Sequence, residues 1–421
     1  MIRAFKLNLK NLFQLFIFLL PTQLGYHFWP QWAYVFGIRV DYLSPTIYLT
    51  DIVFGVLFLL FIKNTTKQVR TGLLKVVFVV ALLAIVNVCF SRSPSPAIFK
   101  WLKIAELSVL AFMVAKQKGF NFMSWLIKPL LISAAAFSLV GIAQVVKGET
   151  IGGLLYYLGE RSFNTSTPGI ALWSFLGQKT LRAYSTFSHP NSFAGYLGVV
   201  LVLFLPLLFK GKLSKRFVAA LLLVLAALLL SASLAAVVSL SLVFLGYTLV
   251  RQKVNWTRKL STTVLVSLVL LSMLMPALAK NYYKETSRLA ESLSKRISLS
   301  ISAGQMFSEQ PLFGVGLNNY VGRLPQDNTA TPVIWWLQPV HNLVLLVLAE
   351  TGIVGALIFV GILYTALSKS LLSNWPGVYL AILFILLTGF LDHYWLTLQQ
   401  NELLAAVVLG LSFRKRPVNN R

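Results

Sequence analysis

Residues Phe217–Val250 read FVAALLLVLAALLLSASLAAVVSLSLVFLGYTLV. As one helix this run is far longer than a ~30 Å hydrocarbon core requires, since about 20 residues suffice for a crossing. The small polar cluster Ser231-Ala232-Ser233 divides it into two crossings, 216–231 and 233–250. The division also settles polarity. The basic loop before it (Lys210, Lys212, Lys215, Arg216) and the one after it (Arg251, Lys253, Arg258, Lys259) then fall on the same side of the bilayer.

The rest of the chain repeats this pattern. Its 421 residues are 57% hydrophobic, with a mean hydropathy of +0.75. Soluble domains rarely exceed half apolar. Apolar runs near 20 residues recur throughout, and the short alternating segments of a β-barrel do not occur. The expectation is an all-α fold, a polytopic transmembrane helix bundle of about 12 helices. The spans fall at roughly 12–30, 45–62, 73–90, 97–115, 122–147, 191–209, 216–231, 233–250, 260–279, 341–366, 376–391 and 397–413. Residues 1–421 then form a single integral membrane domain with two long outer loops, 147–190 and 280–340. The second is expected to carry a short amphipathic helix. No internal repeat is visible, which argues against a repeat-built transporter.

The net charge of +25 does not point to nucleic acid, because its distribution follows the membrane. Every second loop is basic and free of acid: Lys63, Lys67, Arg70 and Lys75 in one, Lys116 and Lys118 in another. The N-terminus (Arg3, Lys6, Lys10) and the tail (Arg414, Lys415, Arg416, Arg421) match them. This is the positive-inside pattern. It predicts cytoplasmic termini and a working face on the outer side of the cytoplasmic membrane, among membrane lipid. The N-terminal apolar run lacks a small-residue cleavage site and reads as a retained helix. Cys89 is the single cysteine, so no disulfide framework or thiolate metal site is expected.

The outer side collects the chemistry. The first long loop ends Arg182-Ala-Tyr-Ser-Thr-Phe-Ser-His189-Pro190-Asn191. Pro190 and Asn191 suit the first turn of a helix, whose free N–H groups favour anions. Arg182 adds a planar fork matched to phosphate oxygens; an interfacial anchor is its plain alternative. The second loop supplies Arg288 and Arg296. Leu293, Ile297, Ile301 and Met306 recur at roughly helical period around Arg296, predicting an amphipathic helix on the membrane surface. The pair Gly314-Val-Gly316 lacks the Gly-Lys-Ser/Thr ending of a phosphate loop and reads as a turn. His341 and Asn342 head the next helix, and an imidazole there can act as a general base at neutral pH; a capping or interface histidine is the alternative.

Charges within the spans read as neutralised groups between helices. Lys103 and Glu106 are three apart and pair along one face, although Lys100 and Lys103 also lie near enough the outer end to meet an anionic head group. Glu350 is expected to pair with a basic residue of another helix, and Gly352 and Gly355 to admit a close neighbouring helix. No Asp-x-Asp clamp, HExxH, Walker sequence or nucleophile elbow occurs, so neither a metal nor a cofactor is expected. What remains on the outer side is arginine, histidine and aromatic, including Tyr156, Tyr157, Trp173, Tyr184, Tyr282, Tyr283, Trp335 and Trp336. That set suits a diphosphate beside a sugar.

Taken together, Arg182-x-x-Ser-Thr-Phe-x-His-Pro-Asn191, Arg296 ahead of Pro311-Leu-Phe-Gly-Val-Gly316, and His341-Asn342 with Glu350-x-Gly352-x-x-Gly355 resemble the O-antigen ligase/polymerase superfamily over residues 180–366. The resemblance implies a glycosyltransferase. Its donor would be a polyprenyl-diphosphate-linked glycan and its acceptor a hydroxyl of a glycolipid or glycan. It implies Arg182 and Arg296 as diphosphate ligands, His341 as the base, and a metal-independent, inverting reaction. One departure stands out. Leu234 occupies the place where members often carry arginine, so either another residue, such as Arg288 or Lys103, supplies that charge, or the chain handles a different donor or acceptor. Ligase and polymerase remain open within the family, and a transporter or flippase remains the rival outside it.

Overall fold

The computed structural model describes residues 8–175, 177–211, 213–250, 286–327, 337–371 and 375–414. Among these the chain is helical with three small two-stranded pairs. The helices are α1 (Leu9–Leu19), α2 (Leu49–Lys63), α3 (Lys67–Cys89), α4 (Pro94–Lys116), α5 (Phe122–Lys147, opening as a π-turn), α6 (Pro190–Phe209), α7 (Lys215–Leu230) and α8 (Leu234–Val250). After them come α9 (Thr286–Glu309), α10 (Tyr320–Asp327), α11 (Leu343–Leu371), α12 (Pro376–Gly389), α13 (Tyr394–Thr397) and α14 (Gln399–Ser412). Four of them, α3, α5, α6 and α11, are long and apolar enough to cross a membrane, and α1, α8 and α12 are shorter apolar helices. The expected crossing at 260–279 lies outside the described residues.

The predicted division at Ser231–Ser233 is seen: α7 ends at Leu230, Ala232 takes a left-handed backbone with φ 49°, and α8 begins at Leu234. The first crossing differs from expectation. Asn8 caps α1 by accepting from the Asn11 N–H at 2.8 Å, but the helix stops at Leu19 because Pro21 cannot continue it. Residues 20–48 form two antiparallel pairs instead: β1 (Gly25–His27) with β4 (Thr46–Tyr48), and β2 (Tyr34–Val35) with β3 (Ile38–Arg39). The loop 148–189 carries the third pair, β5 (Leu172–Phe175) with β6 (Gln178–Leu181).

α6 is the centre of the bundle, buried along almost its whole length from Pro190 to Pro206, and packs against α5, α7, α8, α12 and α14. At the other extreme, α3 buries only Leu73 and Asn87. Its Leu74, Phe78, Leu82 and Ile85 point away from the protein, as side chains facing hydrocarbon do.

The loops sort to two ends. At one end, Gln23 N–H donates to Leu158 O, Arg92 N–H to Val315 O and Ala183 N–H to Leu230 O. Asn318 Nδ2 reaches Tyr42 O. So 20–48, 90–93, 148–175, 177–189, 231–233, 310–327, 337–342 and 390–398 form one continuous cap. At the other end, Arg414 Nη1 donates to Val114 O and Gln117 O, and Arg70 Nη2 to Ile62 O, in the basic loops.

Within the bundle the buried charges neutralise one another. Lys103 sits between Asp51 and Glu106, and Lys100 pairs with Glu402. Lys103 is therefore committed to carboxylates and is not offered to a ligand, contrary to the alternative that it replaces a missing arginine. The buried face of α9 is Leu299, Ser302, Ala303 and Met306, whereas Ile297 and Ile301 are exposed. The expected helix is present, and this buried face packs against α11 and α10.

α11 is broken at Gly352, with φ 63° and ψ −167°. The segment Pro311–Gly316 runs through the break. Ile353 and Val354 N–H donate to Pro311 and Leu312 O, and Val315 and Gly316 N–H donate to Ala349 and Glu350 O. Backbone groups released by the break are thus satisfied inside the protein, as a membrane environment demands. Glu350 is buried, and its Oε1 accepts from the Tyr320 N–H at 3.1 Å. Its partner is a backbone amide rather than the expected basic side chain, and the close neighbour of Gly352 is a loop rather than a helix. A Cβ at Gly352 would lie 2.4 Å from Leu312 C and O, in a region of φ/ψ space open essentially to glycine alone. Gly352→Ala is therefore expected to cost at least 1–3 kcal/mol (roughly) in strain before any clash. The expected readout is a clear fall in the melting temperature of the detergent-solubilised protein. Gly361→Ala, on the same helix with nothing within 4 Å, should leave it nearly unchanged.

Candidate active site

The turn Phe390-Leu391-Asp392-His393 joins α12 to α13 at the capped end, and the site is built around it. Asp392 is buried and accepts three hydrogen bonds. One comes from its neighbour's N–H, His393 to Oδ1 at 2.8 Å. The second comes from His341 Nδ1 at 3.3 Å. The third comes from Asn191 Nδ2 to Oδ2 at 3.0 Å. Asn191 in turn accepts from Arg182 Nη2 at 2.7 Å, and Arg182 Nε donates to Ser231 O at 2.6 Å. An unbroken chain of hydrogen bonds thus runs from Arg182 through Asn191 and Asp392 to His341, drawing on three separate parts of the sequence.

Each member is placed by local structure. Arg182 leaves β6 as the chain turns toward α6. His189 is the N-cap of that helix and accepts from the Asn191 N–H at 3.1 Å, which holds Asn191 in the first turn. Asn342 caps α11, accepting from Leu345 N–H at 2.9 Å and donating to Phe390 O at 3.1 Å. His341 is thereby fixed against the Asp392 turn. Arg296, near the middle of α9, donates Nη1 to Leu391 O at 2.9 Å. Arg288 also lies on α9, but its side chain is outside the described residues, as are Tyr282, Tyr283, Trp335 and Trp336. Leu234 opens α8 and is half exposed; the guanidinium that meets this break is that of Arg182.

Electrostatics divide the three histidines. Burial pushes His189 down to about 3, reinforced by the Arg182 charge. Burial likewise pushes His393 down to about 3, against the pull of Asp392. Both are neutral across the physiological range. Burial lowers Arg182 to about 10, which leaves it cationic at neutral pH. Burial also works against an ionised Asp392, but the hydrogen bond from His341 leads the opposing influences, which hold the carboxyl well below the usual carboxylate range. An ionised Asp392 accepts only, so the His341 nitrogen that faces it, Nδ1, is the one that carries hydrogen.

His341, Asp392 and His393 also offer three ligand atoms within 4.8 Å of one another, a set a cation would accept. Here Asp392 Oδ1 is taken up by N–H donors from both histidine residues, and the cluster is knit by hydrogen bonds. Asp392 and His393 were not singled out from sequence. The signal was an Asp-His pair in the short gap between two apolar runs near the C-terminus.

Residues 217–360 match the protein family described as O-Antigen ligase. Over that stretch the chain is similar to the O-antigen ligases. Its apolar helices, four of them long enough to cross a membrane, mark an integral membrane protein. The matched region holds Ser231, Arg296, His341 and Glu350; Arg182, Asn191 and Asp392 lie outside it and are joined to it by the fold. No curated protein matches the chain.

Proposed function

We propose that this protein transfers a glycan from a polyprenyl-diphosphate carrier to an acceptor hydroxyl, at the outer face of the cytoplasmic membrane. The observation that carries the reading is the hydrogen-bonded chain from Arg182 to His341, which sets a cation and a base in one network. His341 Nε2 takes the proton of the acceptor hydroxyl. The oxygen attacks the anomeric carbon, the bond from that carbon to the diphosphate breaks with inversion, and the carrier diphosphate departs with the negative charge.

Arg182 has five N–H donors in all, of which two are committed to Asn191 and Ser231. The remaining ones, with Arg296 and Arg288, stabilise the diphosphate as charge grows on it. Because Arg182 and Arg296 are already held by backbone and side-chain acceptors, little reorganisation accompanies the reaction. Asp392 fixes the tautomer of His341 and stabilises the imidazolium that forms. In this scheme the protein's own residues carry the whole reaction.

The test supplies the purified protein with a carrier-linked glycan and candidate acceptors, without an ion gradient, and weighs the products. Single additions to a glycolipid indicate ligase activity and product ladders indicate polymerase activity. Carrier-linked glycan that is never consumed with any acceptor would remove the proposal and favour transport.

A further inference from the structure

A cavity of about 520 Å³ opens on the capped end, on the far side of one short turn from the Asp392 cluster. That turn is the 3₁₀ segment Asp41–Leu43. Tyr42 stands with its ring 5.5 Å from that of His393, while Leu43 lines the cavity. The volume lies within the usual range for small-molecule sites, about 300–1,000 Å³, and suits a short saccharide.

Its lining has the composition of a sugar site with one charge preference. Trp32, Tyr34 and Phe36 present rings, and Asn318 and Asn319 present amides. Among the described residues that line it, Arg92 and Arg323 are the charged ones and none is a carboxylate. Arg323 is nearly buried and pairs with Glu309. Arg92 is exposed on the loop between α3 and α4. The lining therefore carries an excess of positive charge at its rim.

Backbone strain gives a second, independent observation. Val35 pairs with Ile38, so Phe36-Gly37 is a two-residue hairpin turn with φ of 51° and 76°. Such turns favour asparagine followed by glycine. A phenylalanine there is sterically costly, and its ring is left 57% exposed. Asn318, with φ 60°, lines the same cavity. Of the four non-glycine residues with positive φ among the described residues, Phe36 and Asn318 line this cavity, and Ser185 and Ala232 flank the Arg182 network. Strain of this kind persists where function holds it.

We propose that this cavity binds an acidic saccharide, a uronic acid or a phosphorylated sugar, as the glycan segment of one of the two substrates. Trp32, Tyr34 and Phe36 take the apolar sugar faces and Arg92 takes the anionic group. The part the ligand plays rests on the glycosyl-transfer reading; its binding does not.

The test measures binding to the full chain in phosphatidylcholine nanodiscs. Three probes are used: the linear trimer of galacturonic acid, maltotriose, and maltotriose bearing one terminal phosphate. Tighter binding of one acidic probe tells carboxylate from phosphate. At least one should bind about tenfold tighter than maltotriose, the value of a single charge-assisted hydrogen bond. Arg92→Gln should bring that ratio close to one. Phe36→Gly should weaken all bound probes by roughly 2- to 12-fold, the range for an aromatic contact; because glycine relieves the strain at this turn, the loss is not a folding defect. His341→Ala should leave binding unchanged. Equal affinity for all three probes, or an unaltered ratio in Arg92→Gln, overturns the proposal, as does loss of binding in His341→Ala, which would put the sugar in the Asp392 cluster. Transfer without binding here removes this site and leaves the proposed activity standing; binding without transfer does the reverse.

Discussion

His341→Ala is expected to lower glycan transfer by about 10²–10⁴-fold, the usual contribution of a positioned general base. Carrier binding should stay within about twofold, since the diphosphate is held by arginines and the removed ring serves only the acceptor oxygen. The substitution should be tolerated by the fold. Asn342, not His341, caps α11 and ties it to Phe390, and Asp392 keeps its bonds to Asn191 and the His393 N–H. The check is turnover of carrier-linked glycan together with separate titration of the carrier lipid. Turnover at the native rate would remove the base. Loss of carrier binding in parallel would instead place His341 among the diphosphate ligands.

The bundle was legible in the sequence because its physics is one-dimensional. A run of apolar residues long enough to cross, a basic loop, and another run can be read without tertiary contacts, and the division at Ser231–Ser233 follows from length alone. Where the reading failed, the missing information was long-range. Residues 12–30 look like one apolar span, but Pro21 ends α1 and the segment after it pairs with Thr46–Tyr48, twenty residues on. On α9, Ile297 and Ile301 are as apolar as Leu299 and Met306, and only the position of α11 decides which pair the protein covers.

The site shows the same division. Arg182, His189, Asn191, Arg296 and His341 were conspicuous as polar residues in an oily chain, and the structure draws them into one cap. Lys103 was equally conspicuous, yet Asp51, fifty-two positions earlier, takes it out of contention. Glu350 was expected to find a base and finds the amide of Tyr320 instead, since the loop through the Gly352 break supplies donors that sequence spacing does not reveal. Asp392 was passed over because an acid in a short turn between spans resembles an ordinary interfacial charge. Its role appears only when α6, α11 and α12 bring Asn191 and His341 to it.

Asp392→Asn is expected to reduce transfer by about two to four orders of magnitude, the upper figure being the cost of the same change in a Ser-His-Asp triad. Asparagine nearly preserves shape but removes the charge. The carboxylate does two things here: it accepts the hydrogen bond from His341 Nδ1, leaving Nε2 as the base, and it stabilises the imidazolium as the acceptor is deprotonated. An amide turned toward His341 would favour the wrong tautomer, and one turned toward Asn191 would face an N–H donor with another. A merely structural defect would lower transfer whether or not His341 is present. The double variant gives the criterion. If Asp392 acts through His341, then Asp392→Asn added to His341→Ala should cost little further activity, because the two residues work as a unit. A fully multiplicative loss would mean that Asp392 serves the reaction by another route, with its bond to Asn191, and through it to Arg182, as the first place to look.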